Sequence, residues 1–544
     1  MKRMRSARYL GLALLIVALA IVTLRYFPVA AGASRASGGR QDTGATNVRQ
    51  PGVAGGFYPA DPKALTAMID DLLAHASPPP ISDPIIAVVA PHAGYQYSGP
   101  VAAYTYAALK GRKFSRVVVI APSHYEAFDF TSIFDGDAYA TPLGTIPVDK
   151  AFAAQLAKMS PTIRLSSEGH TPTSRGAEHS LEVELPWLQR VLGDFQLVPI
   201  IMGDQSYDSS RALGVALAKM IQGSSDTLIL ASSDLSHYHS YDEAVAIDHK
   251  TLNALEAWDY FSMSQNFETR VWEACGGAPI VAAMIAAERL GANKALLLKY
   301  ANSGDTTGDH SRVVGYSAWA LVKTPNQRAA EKPFSLGDHE KNDLLALARK
   351  SVEFAVKEKK AYEPPASSSE TLNQERGAFV TLKKSGELRG CVGYTSAMKP
   401  LYMTVRDTAT LAALRDSRFQ PVSAGELGQL DYEISVLSPL RRVRDIREIK
   451  VGEHGLLMKN GIYEGLLLPQ VPVEQKWDRQ TFLEETCAKA GMPSKCWKDE
   501  NTDIFMFTAV VFGETRLQPL TPETPAPPGP AGRPGTPGPG SLPH

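Results

Sequence analysis

The sequence predicts an α/β fold, a mostly parallel sheet with helices on both faces, followed by a separate α+β domain. Three observations predict it. The apolar runs 85–90, 117–121, 197–202 and 228–231 are continuous rather than alternating, as strands buried on both faces must be. Amphipathic stretches at 212–221 and 279–290 supply helices between or after them, the pattern of a parallel sheet covered on both sides. Beyond residue 338 a strong helical period gives way to alternating segments interleaved with helical ones, which is a different architecture.

Taken in order, Lys2, Arg3, Arg5 and Arg8 precede an uncharged, mostly apolar run at 9–24. Basic residues before such a run form an export signal. As a helix the run would be roughly 24 Å long at 1.5 Å per residue, short of a bilayer core of roughly 30 Å. Arg25, Tyr26 and Phe27 extend it to an interface, and Ala31-Gly32-Ala33 offers a cleavage site. Residues 1–33 therefore read as a signal peptide or as an N-terminal membrane anchor spanning 9–27, and either way the rest lies outside the cytoplasm. A Gly/Ser/Ala-rich linker covers 34–47. Asp61-Pro62 then starts a helix with Leu65, Met68, Ile69, Leu72 and Leu73 on one face. After the four strands, the pair 295–300 and 313–322 closes the first domain, which spans 48–323. A polar linker at 324–337 carries Pro325 and Pro333. The second domain, 338–517, opens with a helix at 338–357 and contains the alternating strands 378–382 and 432–437. Residues 518–544 form a disordered Pro/Gly-rich tail, because its glycine triplets are too few to hold a collagen helix.

Composition sets the bounds. A chain of 544 residues exceeds one core and fits two to four domains. Lys+Arg 56 against Asp+Glu 57 gives a net charge of −1, so no nucleic-acid partner is expected. With 44% hydrophobic and 21% charged residues, most of the chain can bury a core. The four cysteines, Cys275, Cys391, Cys487 and Cys496, are too few for a disulfide scaffold, and no Cys-x-x-C motif is present for zinc or thioredoxin-like chemistry. Cys487 and Cys496 are spaced so that they could pair in an oxidising compartment.

The chemistry lies where strands end. The 85–90 run leads into Pro91-His92-Ala93-Gly94-Tyr95, the 117–121 run into Pro122-Ser123-His124, and the 228–231 run into Ser232-Ser233-Asp234-Leu235-Ser236-His237. Open parallel sheets bind ligands outside the carboxyl ends of their strands. If the three strands are neighbours, His92, His124, Asp234 and His237 converge. Imidazoles and a carboxylate suit a first-row transition metal, and a thiolate suits it as well. Cys275 precedes the helix at 279–290, whose N-terminus would lower the thiol pKa. His170, His179 and His239 are weaker candidates; His179, ahead of an amphipathic helix, reads as a cap or a residue behind the ligands.

These motifs, with Tyr97-Ser98-Gly99, Glu178-His179-Ser180-Leu181-Glu182 and Cys275-Gly276, resemble the Memo (mediator of cell motility) family in order from about residue 48 to 322. Memo proteins are similar in fold to class III extradiol dioxygenases. The resemblance implies that His92, His124 and Cys275 are the metal ligands, with Asp234 and His237 lining the pocket as acid/base, and iron or copper as the metal. The dioxygenases hold iron with two histidines and a carboxylate; a thiolate in the third position softens the site toward copper and argues against ring cleavage.

In the second domain, Leu388-Arg389-Gly390-Cys391-Val392-Gly393, Asp416-Ser417-Arg418-Phe419, His454-Gly455-Leu456 and Leu467-Leu468-Pro469-Gln470-Val471 resemble the AMMECR family. Arg389, Cys391 and His454 are its candidate site, with Cys391 and His454 a thiol–imidazole pair if the fold brings them within about 3 Å; the alternative is a tight turn with a buried thiol. Microbial proteins of the two types are expected beside a radical-SAM partner, and no Cys-x3-Cys-x2-Cys motif is present here. Three functional readings stay open: an exported or membrane-tethered metal-dependent oxidoreductase, a non-catalytic module binding a metal or a small-molecule or peptide ligand and recruiting a partner, and a Cys/His hydrolase centred on Cys275 and His237.

Overall fold

The computed structural model describes residues 47–325 and 334–514. The expected export segment, much of both linkers and the Pro/Gly tail lie outside the described residues. Among the described residues no helix is long and apolar enough to cross a membrane.

A nine-stranded sheet organises the N-terminal half. Its centre is four parallel strands in the order Ile85–Ala90, Thr227–Ser232, Arg116–Pro122, Gln196–Met202. Their side chains explain the continuous apolar runs. Ala87, Val89, Val118, Ile120, Ile229 and Ala231 face one buried cluster, and Val88, Val117, Val119, Leu228 and Leu230 face another. The first cluster lies under the helices Tyr207–Ile221 and Gly277–Arg289, and the second under Pro62–His75 and Tyr95–Leu109. Val313–Val322 adds antiparallel to the Ile85–Ala90 strand and is flanked by Lys294–Asn302 and the short His237–His239 strand. On the opposite edge, Thr131–Phe134 and Ile163–Ser166 extend the sheet. The predicted strands and helices are all found, most a residue or more longer at one end or both, as at Tyr207–Ile221, whose N-cap Ser206 accepts from the Ser209 N–H.

The C-terminal half has two antiparallel four-stranded sheets. One runs in the order Glu387–Tyr394, Ala378–Lys384, Leu430–Leu437, Ala509–Gly513 and packs one face on the helices Asp338–Glu358 and Leu401–Leu414. The other runs Arg441–Arg442, Asp503–Phe507, Gly455–Asn460, Tyr463–Leu467. Cys487 and Cys496 are joined by a disulfide.

The two halves share one buried cluster. Phe505, Phe507, Leu457 and Leu468 pack with Tyr260, Phe261 and the Gly277–Arg289 helix, the Phe261 and Phe505 rings 5.1 Å apart. Beside this apolar contact, Asp503 is 3% exposed and meets Arg211 Nε at 2.5 Å, Arg289 at 3.0 Å and the Tyr207 hydroxyl at 3.0 Å. A buried carboxylate needs such partners, and each comes from the other half.

Candidate metal centre

The three histidine-bearing strand ends are neighbours in the sheet, so the site forms where topology puts it. Asp234 Oδ1 accepts the backbone N–H of His92 at 2.8 Å and of Ala93 at 3.3 Å, which pins one strand-end loop to the next. His92 Nε2 lies 3.0 Å from Cys275 Sγ, and Asp234 N–H donates to the same sulfur at 3.3 Å. The Cys-Gly pair has a packing reason: a Cβ on Gly276 would fall 2.1 Å from the Ser232 carbonyl oxygen. Cys275 can approach His92 only because its neighbour has no side chain.

His92 is oriented from behind. Its Nδ1 is 2.8 Å from Ser232 Oγ, and that hydroxyl reaches Ser180 O at 2.6 Å and Glu184 Oε1 at 2.7 Å. The single hydroxyl proton goes to one of these oxygens, so Ser232 accepts from Nδ1–H and the Nε2 lone pair points at Cys275. Glu184 also takes the Tyr106 hydroxyl. Burial pushes the Glu184 carboxyl up to about 8 against the pull of Tyr106 and Ser232.

His124 is held by Glu178, whose Oε1 lies 2.9 Å from Nδ1 and whose Oε2 accepts the His124 backbone N–H at 2.5 Å. Burial would raise the Glu178 carboxyl, yet the His124 ring and the His124 and Ser180 N–H groups carry it down to about 2. His179 stacks on His124 with ring centroids 4.8 Å apart, and its buried Nδ1, 3.7 Å from Glu178 Oε1, has no hydrogen-bond partner among the described residues. Burial, followed by the charge of His124, lowers His179 to about 4, and burial also lowers His92 and His237. Neutral imidazoles are the form that ligates a metal.

Two groups of donor atoms result, each within 4.8 Å: His92, His124 and His179, and His92, Asp234 and Cys275. The donors fit a transition metal: imidazole nitrogens, a thiol and a carboxylate converge, and the buried His179 Nδ1 is left without a hydrogen bond among the described residues. The expected ligands are thus divided: His92 belongs to both groups, His124 falls with His179, which the sequence placed only behind the ligands, and Cys275 falls with Asp234, so His92, His124 and Cys275 do not themselves form one of the groups. Asp234 lies within the second donor group, beside His92 and Cys275, and burial raises it to about 7. His237 gives Nδ1–H to Leu235 O at 2.9 Å, leaving Nε2 free. It and His239 flank Tyr238, whose φ of 64° kinks the strand, and both meet Glu273: the His237 N–H at 3.4 Å and His239 Nε2 at 3.0 Å. One expectation is corrected. The Gly276 N–H does pull the Cys275 thiol down, but burial and the Asp234 charge win and push it well up. His170 stands apart, against the Tyr139 hydroxyl at 2.5 Å.

In the C-terminal half, Cys391 and His454 are not hydrogen-bonded to each other. Cys391 Sγ accepts from the Thr381 hydroxyl at 3.2 Å and its N–H donates to Asp416 at 2.8 Å. His454 Nδ1 accepts the Lys450 N–H at 3.1 Å, on the approach to the other sheet. Arg389 pairs with Glu426 at 3.0 Å. The glycines of the Arg-Gly-Cys motif serve packing: a Cβ on Gly390 would meet Ala412 O at 2.2 Å, and one on Gly393 the Phe379 ring.

A family model described as Memo-like protein matches residues 49–320, which takes in the whole site and all but the last two residues of this sheet. The chain belongs to the Memo-like family. An AMMECR1 family model matches residues 345–512, so a Memo-like domain is fused to an AMMECR1 domain. A MEMO1 family protein of Methanopyrus kandleri is 37% identical over 282 residues, 50% of this chain and 97% of that protein. One of Sulfolobus acidocaldarius is 36% identical over 285 residues, 49% of this chain and 97% of that protein. A crystal structure of an uncharacterized protein from Pyrococcus horikoshii is 42% identical, covers 33% of this chain and 94% of that one, and has a TM-score of 0.33.

Glu184 and Ser232 behind His92, Glu178 behind His124, and Glu273 opposite His237 are the supporting contacts of the candidate site that sequence reasoning did not single out. Glu178 and Ser232 stand inside the motifs quoted for the family, which was the one available signal; a buried glutamate is otherwise indistinguishable from a solvated one.

Proposed function

We propose that the Memo-like domain binds a first-row transition metal, iron or copper, through His92, His124 and Cys275, with His179 beside them, and that it works as a redox-type metalloprotein. The observation that supports this is the double donor cluster sharing His92. When bound, the metal would supply one-electron chemistry in a pocket that the Cys275 thiolate softens. The chain's own residues do the rest. Glu184 through Ser232, and Glu178 directly, keep Nδ1–H of two imidazoles engaged so that the opposite nitrogens face the pocket. Asp234, titrating near neutrality, is suited to hold or release a proton at its carboxylate, and His237 Nε2 is the second acid/base group.

A Cys/His hydrolase remains the second reading, with His92 rather than the expected His237 as the imidazole that contacts Cys275. An extracytoplasmic location is supported by the basic-then-apolar N-terminal pattern and by the Cys487–Cys496 disulfide. A radical-SAM partner, expected from the resemblance to the two families, belongs to the same reading, and any cluster chemistry would be its own.

The test is metal content after anaerobic purification. About one equivalent of iron or copper per chain is expected, lost in His92→Ala. An unchanged content in that variant rejects the site.

A further inference from the structure

Cys275 sits on the loop 269–276, between the helices Tyr260–Glu268 and Gly277–Arg289. The loop's first half is tied to its preceding helix, with Thr269 N–H on Gln265 O and both Val271 and Trp272 N–H on Asn266 O. Past Trp272 its main chain is bonded only into the start of the next helix, Gly277 N–H to Ala274 O at 3.2 Å and Ile280 N–H to Gly276 O at 3.0 Å, among the backbone bonds of the described residues. Across the rest of the molecule the loop is placed by its side chains and by the Gly276 N–H. On one side these meet the metal pocket: Glu273 reaches His237 and His239, Cys275 reaches His92, and the Gly276 N–H reaches Ser233 Oγ at 3.0 Å.

On the other side they meet the AMMECR1 domain. Trp272, 5% exposed, donates its indole N–H to Glu375 Oε2 at 3.2 Å. Glu375 Oε1 is held in turn by Lys250 Nζ at 2.8 Å, from the Tyr241–Glu256 helix of the first domain. One helical turn before the loop, Gln265 accepts the Ser396 hydroxyl and Asn266 Nδ2 donates to Ala397 O at 3.3 Å. Glu375 precedes the Ala378–Lys384 strand, and Ser396 follows its hairpin partner Glu387–Tyr394, which carries Cys391. Both ends of one hairpin thus grip the segment that presents the thiol. From Trp272 to Cys275 is at most about 10 Å of chain, so slack at the grip reaches the sulfur directly.

We infer that the AMMECR1 domain is a positioning partner for the Memo-like site, with Glu375 and Ser396 holding the Cys275 loop against the pocket through Trp272 and Gln265. A carboxylate that bridges Lys250 and an indole N–H is specific enough to set the loop, and a charge-assisted bond of this kind is among the stronger ones. The Memo-like site is then complete only when the second domain is docked, and whatever moves the 378–394 hairpin moves the thiol. The inference rests on the metal reading for its consequence alone, since the grip itself involves no pocket ligand.

The experiment uses the full chain freed of metal, in wild type and in Glu375→Ala, Glu375→Gln and Arg444→Ala. Arg444 touches the same seam elsewhere, donating to Ala292 O at 3.0 Å, and serves as the control for general loosening. Alkylation of Cys275 by iodoacetamide is read peptide by peptide against Cys391, together with hydrogen exchange of 269–276. Glu375→Ala is expected to speed Cys275 labelling roughly tenfold, the scale of one charge-assisted bond, with Cys391 unchanged. Glu375→Gln, which keeps an acceptor for the indole, should recover most of the wild-type rate, and Arg444→Ala should match wild type. Equal rates in Glu375→Ala and wild type, or equal acceleration in Arg444→Ala, overturn the inference. Metal titration of the same variants separates the two claims. Faster labelling with unchanged metal affinity keeps the grip and removes Cys275 from the metal site, whereas unchanged labelling removes the grip whatever the metal does.

Discussion

Glu184→Gln tests the buried chain behind His92. In the folded protein the Glu184 carboxyl, with no solvent around it, titrates at about 8 rather than at the ordinary 4.5. Between those values the unfolded chain has released the proton and the folded chain still holds it. Stability therefore falls as pH rises through that window, by about 1.4 kcal/mol per pH unit. From pH 5 to pH 8 the wild type should lose on the order of 4 kcal/mol that glutamine, neutral at every pH, does not lose. The amide keeps an acceptor for Ser232 and fills the same volume, so the two proteins should be close in stability at pH 5. Denaturant unfolding of both proteins at pH 5, 6, 7 and 8 gives the difference directly, and Asp234, which titrates in both, largely cancels. Parallel pH profiles for the two proteins would show that Glu184 is ionised in the fold and that the account of the relay is wrong.

Three further expectations follow from the same geometry. Glu178→Gln removes the carboxylate on His124 and should weaken metal binding roughly 10–100-fold in a chelator competition; because Glu178 is held near 2, its stabilisation is complete above about 4.5 and lost toward pH 2, so the variant's acid limb should be flatter. Asp503→Ala leaves Arg211 and Arg289 without their shared counter-charge at the seam and should cost about 3–5 kcal/mol in the unfolding of the joined halves. Reducing the Cys487–Cys496 disulfide, which closes a separation of 9 residues, should lower the stability of the AMMECR1 domain by about 2–3 kcal/mol in denaturant titration.

The parallel core was legible because its signal is local. Val117 to Ala121 or Leu228 to Ala231 can be continuous only where both faces are covered, and the polar residue that ends each run marks the carboxyl end. That three such ends meet was conditional in the sequence, since strand order is a non-local property; the order Ile85–Ala90, Thr227–Ser232, Arg116–Pro122 satisfies the condition. The edge strands Thr131–Phe134 and Ile163–Ser166 are four residues each, too short to show a period. The proximity of His179 to the other imidazoles was hidden for a related reason. Its place in the cluster comes from a ring stacked on His124, across 55 residues of chain, and no spacing rule encodes that. Cys391 and His454 illustrate the converse, two chemically compatible residues in motifs of one domain that the fold assigns to different partners. The Cys275 thiol shows where a local rule loses to a global one: the helix N-terminus does favour the thiolate, and burial beside Asp234 opposes it more strongly.

The central claim is that Cys275 and two or more imidazoles hold one metal. X-ray absorption at the metal edge of anaerobically purified protein tests it most directly. The account predicts nitrogen scatterers at about 2.0–2.1 Å and one sulfur at about 2.3 Å, distances typical of transition-metal imidazole and thiolate bonds, with the sulfur shell lost in Cys275→Ser. A metal that stays bound with nitrogen and oxygen neighbours alone, identical in wild type and Cys275→Ser, would contradict it.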